Sequence, residues 1–266
     1  MFNYEFMKYA FIAGTMIGIL CGLMSVFVIL RRSSFAAHAL GHTSLTGAAG
    51  SALVGLPGVV GQLVINAIVA ILIGLFGDKI KKNDLSVGVI LSFFLGLGAY
   101  FLFIFQNNYS GSVMSILFGN ILSISLEQIW ILLGSCVIVF IGISILYRVF
   151  IFTTIDPELA RAYQFPMKNI NVYFTLLLSI SVSMGCQIVG ALLIFALMII
   201  PGAIATQWCD NVFKMIFTSI IISLISIWLS LVITFYFNIP TSFLITMILC
   251  SIYLVGYIFK IFRRTE

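Results

Sequence analysis

Charge is what this sequence has least of. Only 8% of its 266 residues are Asp, Glu, Lys or Arg, against about 25% in a soluble domain. So few charges cannot cover a water-facing surface, which excludes a soluble globular fold. Cysteine is sparse and unpatterned. Cys21, Cys136, Cys186, Cys209 and Cys250 show no C-x-x-C spacing and lie in or beside apolar runs. They read as small buried hydrophobes, with no disulfide framework. There is no G-x-x-x-x-G-K-[ST] in the chain, so it does not bind ATP through a P-loop. G-x-S-x-G is missing too, which removes the common serine-hydrolase arrangement. The basic residues come in short bursts without interleaved aromatics, so the net charge of +5 is no nucleic-acid footprint. All eight acidic residues sit in or beside loops, which leaves no proton relay inside a span. The first apolar run lacks the charged lead and small-residue exit of a cleavable signal peptide.

What fills the sequence instead is hydrophobic residue, at 62%. About 20 mostly apolar residues cross a bilayer as a helix. Nine runs qualify: Tyr9–Leu30, His38–Leu56, Val59–Phe76, Ser86–Phe105, Gln128–Phe150, Val172–Gly185, Val189–Gln207, Val212–Phe237 and Thr241–Phe259. The sixth and seventh are parted only by Cys186, Gln187 and Ile188, so they are either two short helices or one broken one. The expected fold is an all-α polytopic membrane protein of eight to ten transmembrane helices. No composition shift divides the chain, so residues 1–266 form a single transmembrane domain.

Lys and Arg accumulate on the cytoplasmic side of membranes. With nine alternating spans, Arg31-Arg32, Lys79, Lys81-Lys82, Arg148, Arg161, Lys168, Lys214, Lys260 and Arg263-Arg264 share one side, and only Lys8 lies opposite. The N-terminus is then outside and the C-terminus cytoplasmic. QNNYSGS (Gln106–Ser112) and the loop at Asn238-Ile239-Pro240 face outward. The longest polar loop, Thr153 to Asn169, is cytoplasmic in this scheme. Within it Asp156 can cap a short helix with Pro157 at its first position and Glu158 in its first turn. Leu159, Ala160 and Ala162 give that helix an apolar side, and Pro166 ends it. It reads either as a docking element or as a plain connection. Farther back, Ser123 and Ser125 are candidate caps for the helix that begins near Glu127.

The chain has two histidines, His38 and His42. Four residues apart on a helix, they share one face. They read either as packing residues or as groups that handle a metal or a proton. Ionisable side chains in a membrane usually face a cavity, a partner or a pathway, and imidazole is the commonest transition-metal ligand, so the second reading is favoured. Zinc takes four ligands in closed sites. Two copies of this helix at a dimer axis would offer four imidazoles; alternatively, water or a carboxylate completes the shell. The spacing also resembles the H-E-x-x-H of zinc proteases, but Ala39 stands where the general base is needed. That disfavours an intramembrane metal-dependent hydrolase. In Val189–Ala205, Gly190, Pro201 and Gly202 interrupt an apolar run. They mark either a structural kink or a broken span that lines a pathway.

Four segments, in order, resemble the permease subunit of bacterial ATP-binding-cassette importers for zinc and manganese (the metal-type ABC-3 family). Ala37–Gly47 reads A-H-A-L-G-H-T-S-L-T-G against the family's G-D-x-L-x-H-x-x-L-x-G. Leu117-Phe118-Gly119-Asn120-Ile121-Leu122 matches L-F-G-D/N-x-L. Asp156-Pro157-Glu158-Leu159-Ala160 matches the start of D-P-E-x-A-x-x-x-G, and Val189–Ala203 matches V-G-x-L-L-x-x-A-L-x-I-x-P-x-A. The resemblance implies an ABC-importer permease fold and a transport function, with ATP hydrolysed by separate ATPase subunits. It implies that His38 and His42 touch the metal near a homodimer axis. It also implies that a coupling helix within 153–166, with Asp156, Pro157, Glu158, Leu159, Ala160 and Arg161, docks on the ATPase. An extracytoplasmic metal-binding protein would deliver the ion. No cofactor is expected to be held permanently; Zn2+, or Mn2+, is the cargo. His38 falls where the family commonly has Asp, and imidazole suits zinc better than manganese, so the cargo expected is zinc. Gln164 or Phe165 stands where a Gly is usual. The alternative cargo is a metal chelate or siderophore. The expected location is the bacterial cytoplasmic (inner) membrane.

Overall fold

The computed structural model describes residues 4–76, 83–104, 119, 121–237 and 239–265. They form α1 (Glu5–Leu30), α2 (Ser34–Leu53), α3 (Gly58–Phe76), α4 (Asn83–Ile104), α5 (Leu126–Ile155), the short α6 (Pro157–Ala162), α7 (Met167–Val189), α8 (Ala191–Trp208), α9 (Val212–Phe237) and α10 (Thr241–Thr265). A single 3-10 turn, Ile121–Ser123, precedes α5, and no strand occurs among the described residues. Each of the nine expected spans has its helix. Phe105, the outward segment 106–112, Leu117, Phe118, Asn120, Asn238 and the basic Lys79, Lys81 and Lys82 lie outside the described residues, as do the side chains of Lys260, Arg263 and Arg264.

Eight of the nine long helices are long and apolar enough to cross a membrane. The exception is α2, SFAAHALGHTSLTGAAGSAL. Its small and hydroxylated residues suit a helix enclosed by others, and it packs among α3, α4, α7 and α8. Small residues let membrane helices approach backbone to backbone. A Cβ on Gly47 would lie 2.7 Å from the Gln62 Cα, and one on Gly61 would lie 2.6 Å from the Ser51 Cβ. Neither position of the α2–α3 contact has room for a side chain.

The break between the sixth and seventh spans is at Gly190, not at Cys186-Gln187-Ile188. Those three residues are helical and belong to α7. Gly190 has φ +91°, a conformation that side-chain-bearing residues avoid. It closes α7 through a hydrogen bond from its N–H to Cys186 O (3.1 Å), and its carbonyl accepts from Ile194 N (3.1 Å) to open α8. A Cβ there would force another backbone geometry. Gly119, with φ +67°, packs against this break: a Cβ on it would collide with the Val189–Gly190 peptide.

Two further caps follow sequence chemistry with small corrections. Ser125, rather than Ser123, caps α5 in a reciprocal box with Gln128, leaving Ser123 in the 3-10 turn. Asp156 Oδ1 accepts from Leu159 N (2.9 Å) at the start of α6, with Pro157 at the first position. That helix ends at Ala162, before Pro166, which stands at the N-cap position of α7 and accepts there from Ile170 N through its carbonyl. The residue in the left-handed conformation after α6 is Gln164, at φ +56°. Of the two positions expected for the usual glycine, 164 is therefore the one whose backbone favours it.

Two outcomes follow from this geometry. Gly61→Leu should prevent assembly of the α2–α3 pair, read as loss of the monodisperse peak on size exclusion in detergent. Gln164→Gly should be neutral or raise the detergent-solubilised melting temperature, while Gln164→Val should lower it, because left-handed backbone costs a side-chain-bearing residue about 1–2 kcal/mol.

Candidate metal-handling site

α2 carries opposite chemistry on its two sides. Phe35, His38, His42, Leu45 and Ala49, spaced three and four apart, are partly or fully exposed in the single chain, whereas Thr43, Ser44, Thr46 and Gly47 are buried. The His38 and His42 ring centroids are 4.5 Å apart, with the rings edge to face. Phe195 of α8 meets the His38 ring edge to face at 4.7 Å, and Phe35 stacks beside it at 6.3 Å. Both imidazoles are half-buried. Among the described residues, aromatic rings are their recorded partners, with no hydrogen bond to either imidazole. Their nitrogens can therefore serve an incoming group.

What fixes this face outward is a hydrogen-bond lock on the other side. Thr43 Oγ1 donates to Asn66 Oδ1 (2.7 Å), and Asn66 Nδ2 donates to Ser44 Oγ (2.6 Å) and Ser183 Oγ (2.8 Å). One fully buried asparagine of α3 thus joins α2 to α7. Ser183 also donates to the Gln62 carbonyl (3.4 Å), and Cys186 Sγ donates to Gly41 O (3.7 Å). A rotation of α2 that buried the imidazoles would break the Thr43 and Ser44 bonds in an interior with no water to replace them.

No group of three or more His, Cys, Asp or Glu that could hold a metal occurs among the described residues. One chain therefore offers two imidazoles. Rings that share one tetrahedral zinc at about 2.0–2.1 Å per Zn–N bond have centroids on the order of 5 Å apart, close to the separation here. The break at Gly190 belongs to the same neighbourhood, since a Cβ on Gly41 would touch Ala191 O at 3.5 Å. Pro201 and Gly202 are buried farther along α8, where Gly202 N donates to Ser25 Oγ of α1 (2.7 Å). Asp156, Pro157, Glu158, Leu159, Ala160 and Arg161 form a separate locus in and before α6. Ala160 is its buried anchor, and Leu159 points outward at 44% exposure. Phe152 of α5 holds the chain after α6 through Tyr163 and Phe165.

Sequence reasoning passed over Asn66 and Phe195. A lone asparagine in VVGQLVINAIVAIL was the available signal for the first, because amides are costly in an apolar span without partners. Phe195 gives no signal of its own. Asn66→Ala should lower stability by about 2 kcal/mol, three interhelical bonds at ~0.6 each, measured as a drop in unfolding midpoint in detergent.

Comparison with known proteins shows the family of the chain. The model of the ABC 3 transport family matches residues 3–260. The chain is 28% identical over 258 residues to a manganese transport system membrane protein, MntC of Listeria monocytogenes, covering 97% of this chain and 91% of that one. It is 30% identical over 256 residues to the manganese import system permease protein ScaB of Streptococcus gordonii, covering 96% and 91%. Among solved structures, PsaBC from Streptococcus pneumoniae in complex with Fab superposes with a TM-score of 0.84 at 30% identity, covering 96% of this chain and 91% of that chain.

Proposed function

This chain belongs to the ABC 3 transport family, and from that premise we propose that it is the permease subunit of an ATP-driven importer of divalent metal, with zinc as cargo. The observation that carries the reading is the pair of half-buried imidazoles, with no hydrogen bond to either among the described residues, on the one described long helix that falls short of spanning hydropathy. Two copies related by a twofold along this face bring four imidazoles together, the coordination number zinc prefers. The ion arrives outside on a soluble metal-binding protein, meets His38 and His42, and leaves inward when the helices rock. Its hold is brief, as conduction requires. Imidazole must be unprotonated to bind, so uptake falls on acidification.

The rest of the machine is supplied by partners. With no P-loop in the chain, hydrolysis comes from two separate ATPase subunits. Ile155 (73% exposed), Leu159 and Tyr163 (69%) present apolar surface around α6, at the end where Arg31, Arg32 and Arg161 line a cavity with Pro157. That pattern suits a helix seated in a protein groove. The positive-inside asymmetry supports an outer N-terminus and a cytoplasmic C-terminus in the bacterial inner membrane.

Manganese is the second reading, favoured by the manganese transport named for the relatives. The physical counterweight is His38, since nitrogen ligands favour zinc where oxygen ligands favour manganese. Metal-stimulated ATP hydrolysis by the reconstituted complex, scanned across ions, separates the two. Zinc should stimulate wild type most, and His38→Asp should move the preference toward manganese. Stimulation of wild type by manganese alone would reverse the cargo assignment. The double variant His38→Ala/His42→Ala should insert normally yet lose metal-dependent growth rescue; full rescue would remove the site.

A further inference from the structure

Arg31 is one of the basic residues of the positive-inside scheme, yet its surroundings are unusual. It is the first residue of the three-residue turn Arg31–Ser33 between α1 and α2. Its Nη1 donates to Thr153 Oγ1 (3.2 Å) and Thr154 Oγ1 (3.3 Å) at the end of α5, and its Nη2 donates to Asn171 Oδ1 (2.6 Å) in the first turns of α7. The guanidinium lies over the rings of Phe174 (4.9 Å) and Phe150 (5.4 Å). Every recorded partner is neutral. Burial lowers its pKa to about 10, so it is still a cation at neutral pH.

The placement of these partners is the informative part. Thr153 and Thr154 end α5 just ahead of α6, with Ile155 and Asp156 between, and Asn171 follows it in α7, so Arg31 grips the chain on both sides of the expected coupling helix. On its other side the turn is stiff. Arg32 takes the left-handed conformation, φ +54°, and Ser33 N donates to Val28 O (2.9 Å) while Ser33 O accepts from Ala37 N (3.0 Å). His38 lies four residues into α2, about 6 Å along the axis. A cavity of about 570 Å³, lined in part by Arg31, Asp84, Thr153, Pro157, Arg161 and Asn171, adjoins the grip. It gives the side chains room to exchange partners. Neutral acceptors hold a guanidinium less tightly than a carboxylate does, which suits a contact that must slip and re-form.

We propose that Arg31 is the positioning residue that transmits movement of α6 to the histidine-bearing helix α2. Displacement of α6 by the ATPase shifts Thr153, Thr154 and Asn171, and through Arg31 the start of α2 follows. This rests on the importer reading, and its test separates the two.

The test uses the full transporter in liposomes, with its ATPase and binding protein, and reads zinc and manganese uptake per ATP hydrolysed by assembled complex. In Arg31→Gln hydrolysis persists while uptake per ATP falls by about two- to thirtyfold, the range expected when an interaction that couples two sites is removed. Asn171→Ala and Thr153→Ala/Thr154→Ala fall in the same direction by less, and Arg31→Lys recovers part of the loss by keeping the charge. If Arg31→Gln does not assemble, Arg31→Lys and Asn171→Ala are judged by the same ratio. An unchanged ratio in every assembled variant overturns the proposal. A merely structural role would lower the amount of complex and leave the ratio intact. Failure of wild type to take up either metal would instead sink the importer reading itself.

Discussion

The structure depends on the rotational setting of one helix. α2 has hydroxyls on one side and imidazoles on the other, and Asn66 decides which side is inward. Its amide satisfies Thr43, Ser44 and Ser183 together, and the glycine contact between Gly47 and Gly61 brings the α2 and α3 backbones close enough for those bonds to form. In a bilayer, unpaired polar groups are expensive, so this setting is well defined. The imidazole face is open because the hydroxyl face is closed.

Around this helix the other elements divide the work. α8 supplies Phe195 against His38, and the Gly190 break lets α8 begin beside Gly41 without a long loop. At the other end α6 is a single capped turn and a half, anchored by Ala160 and by the ring contacts of Phe152. The two loci share no side chain. Arg31 is the polar residue whose contacts reach both flanks of α6 while its backbone leads directly into α2.

Much of this was legible in the sequence, for identifiable reasons. Span positions follow from hydropathy because a bilayer imposes length and apolarity on each helix separately. The His38–His42 pairing follows from helical periodicity, and the Asp156–Pro157 start of α6 from capping chemistry. The break at Gly190 was misplaced because polar Cys186 and Gln187 looked more interruptive than a glycine. Cys186 fits a helix because its thiol donates to Gly41 O on α2, whereas the positive φ at 190 needs glycine. Arg31 and Asn66 were missed because their partners are more than 20, and as many as 140, residues away. Such pairings leave no local pattern to read.

The central claim is that the imidazoles of two copies meet one ion between them. X-ray absorption at the zinc edge of the assembled, cargo-loaded transporter tests it most directly. The account predicts one zinc per two permease chains, surrounded by imidazole nitrogens at about 2.0–2.1 Å. A first shell of oxygen alone, or one zinc in every chain, would contradict it.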